Sequence, residues 1–567
     1  PYSGVAANKG EWIETLMSEY KVTVQTEERQ IQRLSNDYVK FIRYGQETLR
    51  RTNSGILSFI SDNGYVDGLL FRDMRQSLLG DFSTLGILNL HGALRRSVDS
   101  LVDQNVFEII QGVAISFFTK QNKNLQIGNS SYSEIFGTRQ EKYDLLNSAN
   151  SSQLGWQDFY PQKPAFYFTM HVANNEYIAL PSIPLLFGTG NMKNDRDTNY
   201  GTGIKTRHDE FVIGWDRLDA VNRVKKIAFR GESDPRLISE LGLCTTAHFN
   251  IKAARKKAET ENLTKFVRPI QYRPFDNRYI VYQREFVCEP KTITMKHMIP
   301  ENIALCVLRR DRKSRRNGYF VSKGLIAKDL VSNLDDALVL PVLRTETENL
   351  SLIKDDGYLT HNFSPSLLDL LKKNVQIDLN KQIETDGNYS SAFDVVHYIY
   401  SILYSPSYRE IYGEELDLDF PRLPLTNDTE LFRKLCSLGA ELVAIHLLEG
   451  IAAPRDWNLR TDGSTLFENA EVAAGFPKYE DGKIFINKTA WFDGVEEEIW
   501  NFHIGGYQVC HKWLKDRKGR TLAPEDIAHY GKITVALRET IRLMAEIDDV
   551  IEAHGGFPLV GSQDAAT

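Results

Sequence analysis

The densest chemistry in this sequence is the stretch LRRDRKSRRNGY, which sets Arg309, Arg310, Arg312, Lys313, Arg315 and Arg316 within eight residues. Guanidinium groups pair in a two-pronged way with guanine edges and with phosphate, whereas ammonium groups act mainly as point charges on phosphate. A run this dense suits a phosphate-facing loop better than a base reader. Two smaller basic constellations precede it. GTGIKTR carries Lys205 and Arg207 behind Gly201 and Gly203, a flexible turn whose backbone could approach a phosphate closely. It lacks the spacing of a Walker A loop, so nucleotide triphosphate binding is excluded there. In QYRPFDNRYIVY, Arg273 and Arg278 flank Pro274 and Asp276, either to meet a polyanion or to form an internal Arg–Asp pair.

All three constellations fall in residues 201–330, which hold 27 Lys and Arg against 15 Asp and Glu. That segment carries a net charge of +12, while the whole chain carries −7, so the remaining residues carry −19. A basic block inside an acidic protein is the asymmetry expected where one region faces nucleic acid, the alternative being a solvated basic face. Other chemistries find little support. The five cysteines are scattered, with no Cys-x-x-Cys pair, so neither a zinc site nor a disulfide framework is expected. His397, His446 and His529 lie in helical patterns and read as structural residues, and no metal site is expected. No apolar run approaches the roughly 18 residues of a membrane span, and a cytoplasmic protein is expected.

The elements that position these residues change character along the chain. Residues 1–125 alternate helical and strand-like segments, with GILSFIS, TLGILNLHG and GVAISFFTK as short buried strands of a parallel α/β sheet. Residues 126–345 lose that rhythm and mix aromatic-rich strands such as RYIVYQREFV with glycine turns and basic helices, an α+β pattern. Residues 346–567 are mostly helical: Val395, Val396, Ile399, Ile402 and Leu403 share one face, and TELFRKLCSLGAELVAIHLLEG fits a second helix. The strands KIFIN and TAWFDG precede a last helix with Pro524 in its first turn and a stripe of Ile533, Leu537, Ile541, Met544, Ile547 and Ile551.

Long strings spread from about residue 200 to the end, among them GTGIKTRHDEFVIGWD, QYRPFDNRYIVY, FDVVHYIYSILYSPSYREIY, DFPRLPLT and WNFHIGGYQVCHKWLKDRKGRTLAPEDIAHYGKITVALRETIRLMAEID, resemble the C-terminal specificity region of type ISP restriction-modification enzymes. The first 125 residues resemble the back half of that family's Rossmann-like adenine-N6 methyltransferase domain. Pro1-Tyr2 matches the second half of its Asn/Asp-Pro-Pro-Tyr/Phe motif, and VFEIIQGVAISFFTK matches a later strand. The resemblance implies that Pro1, Tyr2 and Phe107 serve catalysis on a flipped adenine: the Pro1 carbonyl accepts from the amine, Tyr2 stacks on the base and Phe107 contacts its other side, unless Phe107 is an ordinary core residue. It implies double-stranded DNA as partner and S-adenosylmethionine as methyl donor, its glycine-rich motif expected upstream of Pro1. Nuclease and ATP-driven translocase domains would precede this chain in one polypeptide, with ATP and Mg serving only those. The chain alone is expected to be inactive, and a DNA-binding specificity module without catalytic role is the alternative.

Overall fold

The computed structural model describes residues 10–27, 31–92, 103–121, 130–170, 174–188, 199–230, 234–246, 248–298, 302–310, 316–346, 358–386, 389–462 and 470–559. The first apolar runs build a five-stranded sheet from β1 (Gly55–Asp62), β2 (Thr84–His91), β3 (Val113–Lys120), β4 (Ser130–Glu134) and β5 (Gln157–Phe159), in the order β1-β3-β2-β4-β5. β3 is antiparallel to both β1 and β2, β2 and β4 are parallel, and β5 is antiparallel to β4. β1, β2 and β4 therefore run one way, but the sheet is mixed rather than parallel. The expectation fails because β3 returns as an antiparallel partner between β1 and β2 instead of crossing over through a helix. The sheet also continues past residue 125, through β4 and β5.

β1 is an edge strand, which corrects its reading as a buried one: Ile56 is 72% and Ile60 57% exposed, while Leu57 and Phe59 turn to the core. Helices α1 (Asp37–Arg50) and α2 (Arg72–Asp81) supply that core with Val39, Ile42, Met74 and Leu78. α3 (Arg139–Ser148) begins at a capping box in which Thr138 and Glu141 satisfy each other's backbone N–H groups.

The basic region holds two four-stranded sheets. One orders Tyr319–Lys323, Ile303–Val307, Leu338–Pro341 and Gly201–Thr202, all antiparallel. The other orders Leu325–Ile326, Val267–Arg273, Asp276–Val281 and Ile213–Gly214. Helices α4 (Arg217–Arg230) and α5 (Ile251–Thr260) pack beside them, burying Ala220, Val221, Val224 and Ile227 from the first and Ala254 and Ala258 from the second.

Three long helices follow: α6 (Ser390–Tyr404), α7 (Thr429–His446) and α8 (Pro524–Ala553). They meet at His446, whose ring lies 2.5 Å from the Tyr400 hydroxyl and 2.9 Å from the Thr540 hydroxyl. Burial pulls this imidazole down to about 3, so it is neutral, a structural role as its place in the pattern suggests. The α8 stripe is as read from the sequence, with Ile533, Leu537, Ile547 and Ile551 buried. KIFIN and TAWFDG supply two strands of a small sheet, Lys483–Phe485 and Ala490–Phe492. The C-terminal third does not stand apart: one core joins residues of 204–339 to residues of 459–537, and a second joins residues of 177–343 to helices α6, α7 and α8. The molecule is thus a mixed α/β protein with several sheets and helices.

Candidate nucleic-acid interface

The carboxyl ends of β1 and β2 and the amino end of β3 share one edge of the first sheet, and the loops there face the basic segment. Between them lies a cavity of about 450 Å3. Asp62, Asn63, Gly64, Gln111 and Gly112 line one side, and Arg309, Arg310, Asp335 and Asp336 the other. Its first wall is held by polar contacts. Asp62 Oδ1 accepts the Gly64 N–H at 2.7 Å, and the Asn63 N–H donates to the Gly112 carbonyl at 3.0 Å. A Cβ on Gly112 would meet the Asn63 amide at 2.6 Å, so glycine there lets that side chain lie against the backbone of the loop. The Asn63 side chain donates to Asn89, Asn89 to the Tyr132 hydroxyl, and that hydroxyl to Glu134, so a chain of hydrogen bonds runs from the cavity wall across the sheet.

Two buried cations fix the loops around the cavity, and neither stands out in the sequence. Arg75 is fully buried and, among the described residues, makes no ion pair with a carboxylate. Its guanidinium donates to the carbonyls of Tyr65 and Gly68 at 2.7 and 2.8 Å and to that of Ala165 at 2.6 and 3.0 Å. Burial pulls it down to about 10, still cationic at neutral pH. Lys142, also fully buried, pairs with Asp103 at 2.6 Å and donates to the carbonyls of Leu90 and Gln104. Its neighbours on α3 continue along the same loop: Arg139 reaches the carbonyls of Asn105 and Phe107, and Tyr143 that of Val106. Inside the loop, Asn105 accepts from the Phe107 N–H and donates to the Gln111 carbonyl. For Arg75 the sequence signal is a charge standing in an apolar helical lane, between Phe71 and Leu78; Lys142 carries no such signal, with Arg139 and the exposed Leu145 one turn to either side.

This anchored loop presents Phe107, 43% exposed, and Ile110, 45% exposed. Phe107 is therefore not an ordinary core phenylalanine. Pro1 and Tyr2 lie outside the described residues, as do Arg312, Lys313 and Arg315. The described part of the arginine run is anchored rather than loose. Arg309 pairs with Asp419 at 2.5 Å, Arg316 pairs with Asp417 at 2.7 Å, and Arg310 joins Arg309 at the cavity. Asp417 lies in the short helix Gly413–Leu418 and Asp419 follows it, so the acidic C-terminal part holds down both ends of the run.

Elsewhere the basic residues divide. Lys205 bridges to Glu289 at 3.3 Å. Arg207 is exposed, stands in the left-handed region at φ +59°, and has no partner among the described residues. The two glycines before them do not make a flexible turn, which corrects that reading. Gly201 begins a strand, and a Cβ on Gly203 would meet the backbone of Ala327 at 2.6 Å, so glycine there permits chain-to-chain packing. Arg278 forms the internal pair, donating to Asp276 at 2.8 and 3.1 Å, while Arg517 donates to the other oxygen at 3.1 Å. Burial pushes the Asp276 carboxyl up, but the two guanidinium groups outweigh it and hold it below the ordinary carboxylate range. Arg278 also stacks between Trp215 and Tyr272, 3.9 Å from each ring centre. Arg273 is buried over the Tyr272 ring at 4.0 Å. Its Nε has no hydrogen-bond partner among the described residues.

Among the described residues no helix is long and apolar enough to cross a membrane. No curated protein matches the chain. Among the solved structures that share its fold are three DNA complexes. The ATP-dependent Type ISP restriction-modification enzyme LlaBIII bound to DNA is 19% identical with a TM-score of 0.65, over 95% of this chain and 35% of that one. The DrdV–DNA complex, from cryo-EM, is 19% identical with a TM-score of 0.63, over 94% and 54%. A nuclease-deletion mutant of the Type ISP restriction-modification enzyme LlaGI, in complex with a DNA substrate mimic, is 16% identical with a TM-score of 0.61, over 95% and 50%. This chain spans from about a third to about half of those chains. The family model for the Type ISP C-terminal specificity domain matches residues 198–546, more than half of the sequence and all of the basic sheets with α4 to α7. On that match the chain belongs to the family of the Type ISP C-terminal specificity domain.

Proposed function

We propose that this chain recognises a DNA sequence within a restriction-modification enzyme and positions a flipped adenine for N6 methylation. One observation carries the reading: a cavity of about 450 Å3, in the size range of ligand sites, is walled on one side by the first sheet's edge loops and on the other by the arginine segment. An adenine leaves the duplex at a cost of a few kcal/mol, and aromatic stacking offsets part of it. Phe107 is exposed on a loop whose Gln111 and Gly112 reach that cavity, the setting such a contact needs. Double-stranded DNA is the proposed partner, supported by the DNA or DNA substrate mimic in the three solved structures named above, and the sheet at residues 55–159 is proposed to be the back half of a Rossmann-like methyltransferase sheet.

S-adenosylmethionine would supply the methyl group. The loops lining the cavity carry Gly64, Gly68 and Gly112 singly rather than as a glycine-rich turn, so they do not form a cradle for this donor and no step is routed through it. The work assigned to this chain is recognition and positioning. The reading is tested by offering the full-length protein a library of randomised duplexes and sequencing what it binds and methylates. One enriched site containing a methylated adenine is expected, while the 567 residues alone bind but transfer no tritium from labelled S-adenosylmethionine. Enrichment without methylation by the full-length protein leaves a binding module only, and no enrichment removes the recognition role as well.

A further inference from the structure

Helix α4 carries an unpartnered face. Its buried side is Ala220, Val221, Val224 and Ile227, so the opposite side points away from the core. Along it stand Leu218, Asn222, Lys225 and Phe229, spaced i, i+4, i+7 and i+11, which aligns them in one stripe. All four are exposed, Leu218 to 68% and Phe229 to 84%. A solvated helix face ordinarily carries charge at such positions, and two large apolar side chains held open there mark a contact surface.

The electrostatics around the stripe select the partner. The carboxylates beside it are already engaged: Asp219 and Glu210 with Arg223, Glu240 with Lys226 and Arg230, and Asp234 with Arg230. Lys225 has no partner among the described residues, and the neighbouring α5 adds exposed Lys252 and Lys256, also without one. Asp216, just before the first turn, is exposed and has no cation partner among the described residues, but the three unpaired lysines leave the surface with spare positive charge, and it belongs to the basic block. A polyanion is the matching occupant. The side-chain types narrow it further, since an amide pairs with adenine, an ammonium with guanine, and apolar groups with the thymine methyl in a major groove wide enough for one helix.

We infer that α4 enters the major groove of the target duplex and that Asn222, Lys225, Leu218 and Phe229 read base edges, which makes them specificity-determining residues. The inference rests on the proposed recognition function. Its test is site selection from randomised duplexes by the full-length protein and by Asn222→Ala, Lys225→Ala and Leu218→Ser/Phe229→Ser, with thermal melting to verify folding. Each variant is expected to keep the parent site but to relax its preference at one or two base pairs, by about tenfold for each side chain that no longer reaches its base. Variants that retain the parent preference at every position, or that bind all sequences equally more weakly, overturn the inference and leave recognition to other residues. If the parent protein itself selects no site, the recognition function fails, a different result from the first two.

Discussion

Phe107 shows how much an aromatic side chain's role depends on what holds its backbone. Its carbonyl is fixed by Arg139 and its N–H by Asn105, so the ring is exposed without being loose. Stacking of a base on such a ring contributes roughly 1–3 kcal/mol, against phosphate contacts that dominate total affinity. Replacing Phe107 by alanine should therefore lower the fluorescence of 2-aminopurine placed at the target adenine, in the full-length protein, while duplex affinity falls little. Tyr2→Ala should lower it further, if Tyr2 is the main platform as the motif implies. Normal flipping and normal methylation in both variants would remove the base-contact role from these residues. At the same scale, the arginines sort by partner rather than by position in the sequence. Arg278 and Arg309 both sit in basic stretches, yet one is closed into a buried pair with Asp276 and the other lines the cavity.

Among elements, α3 matters beyond its ten residues because it holds the 103–111 loop by its backbone. Lys142 is the centre of that grip, and removing its charge leaves Asp103 without its cation and the carbonyls of Leu90 and Gln104 without a donor. Breaking a buried pair from one side costs about 3–5 kcal/mol. Lys142→Met is expected to speed amide hydrogen exchange at residues 105–111 by at least about tenfold while the basic sheets exchange as before; uniform exchange across the chain would show that α3 supports the whole fold rather than the loop. Periodicity made the long elements legible, since α7 and α8 each bury one face and leave the other open, while α6 is buried all round in its last two turns, Tyr398 to Tyr404. The sheet direction was not legible, because an apolar run such as GILSFIS looks alike in a parallel core strand and at an antiparallel edge. Nor were the partners of Arg75 and Lys142 legible, because backbone carbonyls and one distant carboxylate leave no pattern in the sequence. The basic constellations were visible as residues but not as contacts: the acids that engage Arg309 and Arg316 lie about a hundred residues downstream.

Across the whole molecule, the +12 block and the −19 remainder are not separate fields. Asp417 and Asp419 come from the acidic part and pair with Arg316 and Arg309, so a phosphate approaching either guanidinium competes with a carboxylate already in place. Arg316 and Asp417 are each about a quarter exposed, where an ion pair stabilises by about 1 kcal/mol or less, so a phosphate can displace that carboxylate, while the buried Asp419 holds Arg309 more firmly. This arrangement sets the sign of two opposite changes. Replacing Arg312, Lys313, Arg315 and Arg316 with alanine removes cations and should weaken duplex binding, flattening the log–log dependence on salt by about 0.9 for each phosphate left without its cation. Replacing Asp417 and Asp419 with asparagine removes the competitors and should do the reverse, tightening binding at low salt and steepening the dependence. If the segment is instead a solvated face, the first variant leaves the slope unchanged and the second shifts only stability. A slope that flattens in the first variant and steepens in the second would place the segment against phosphate with its acids acting as a brake on non-specific binding, because each released counterion counts once whichever side of the pair is altered.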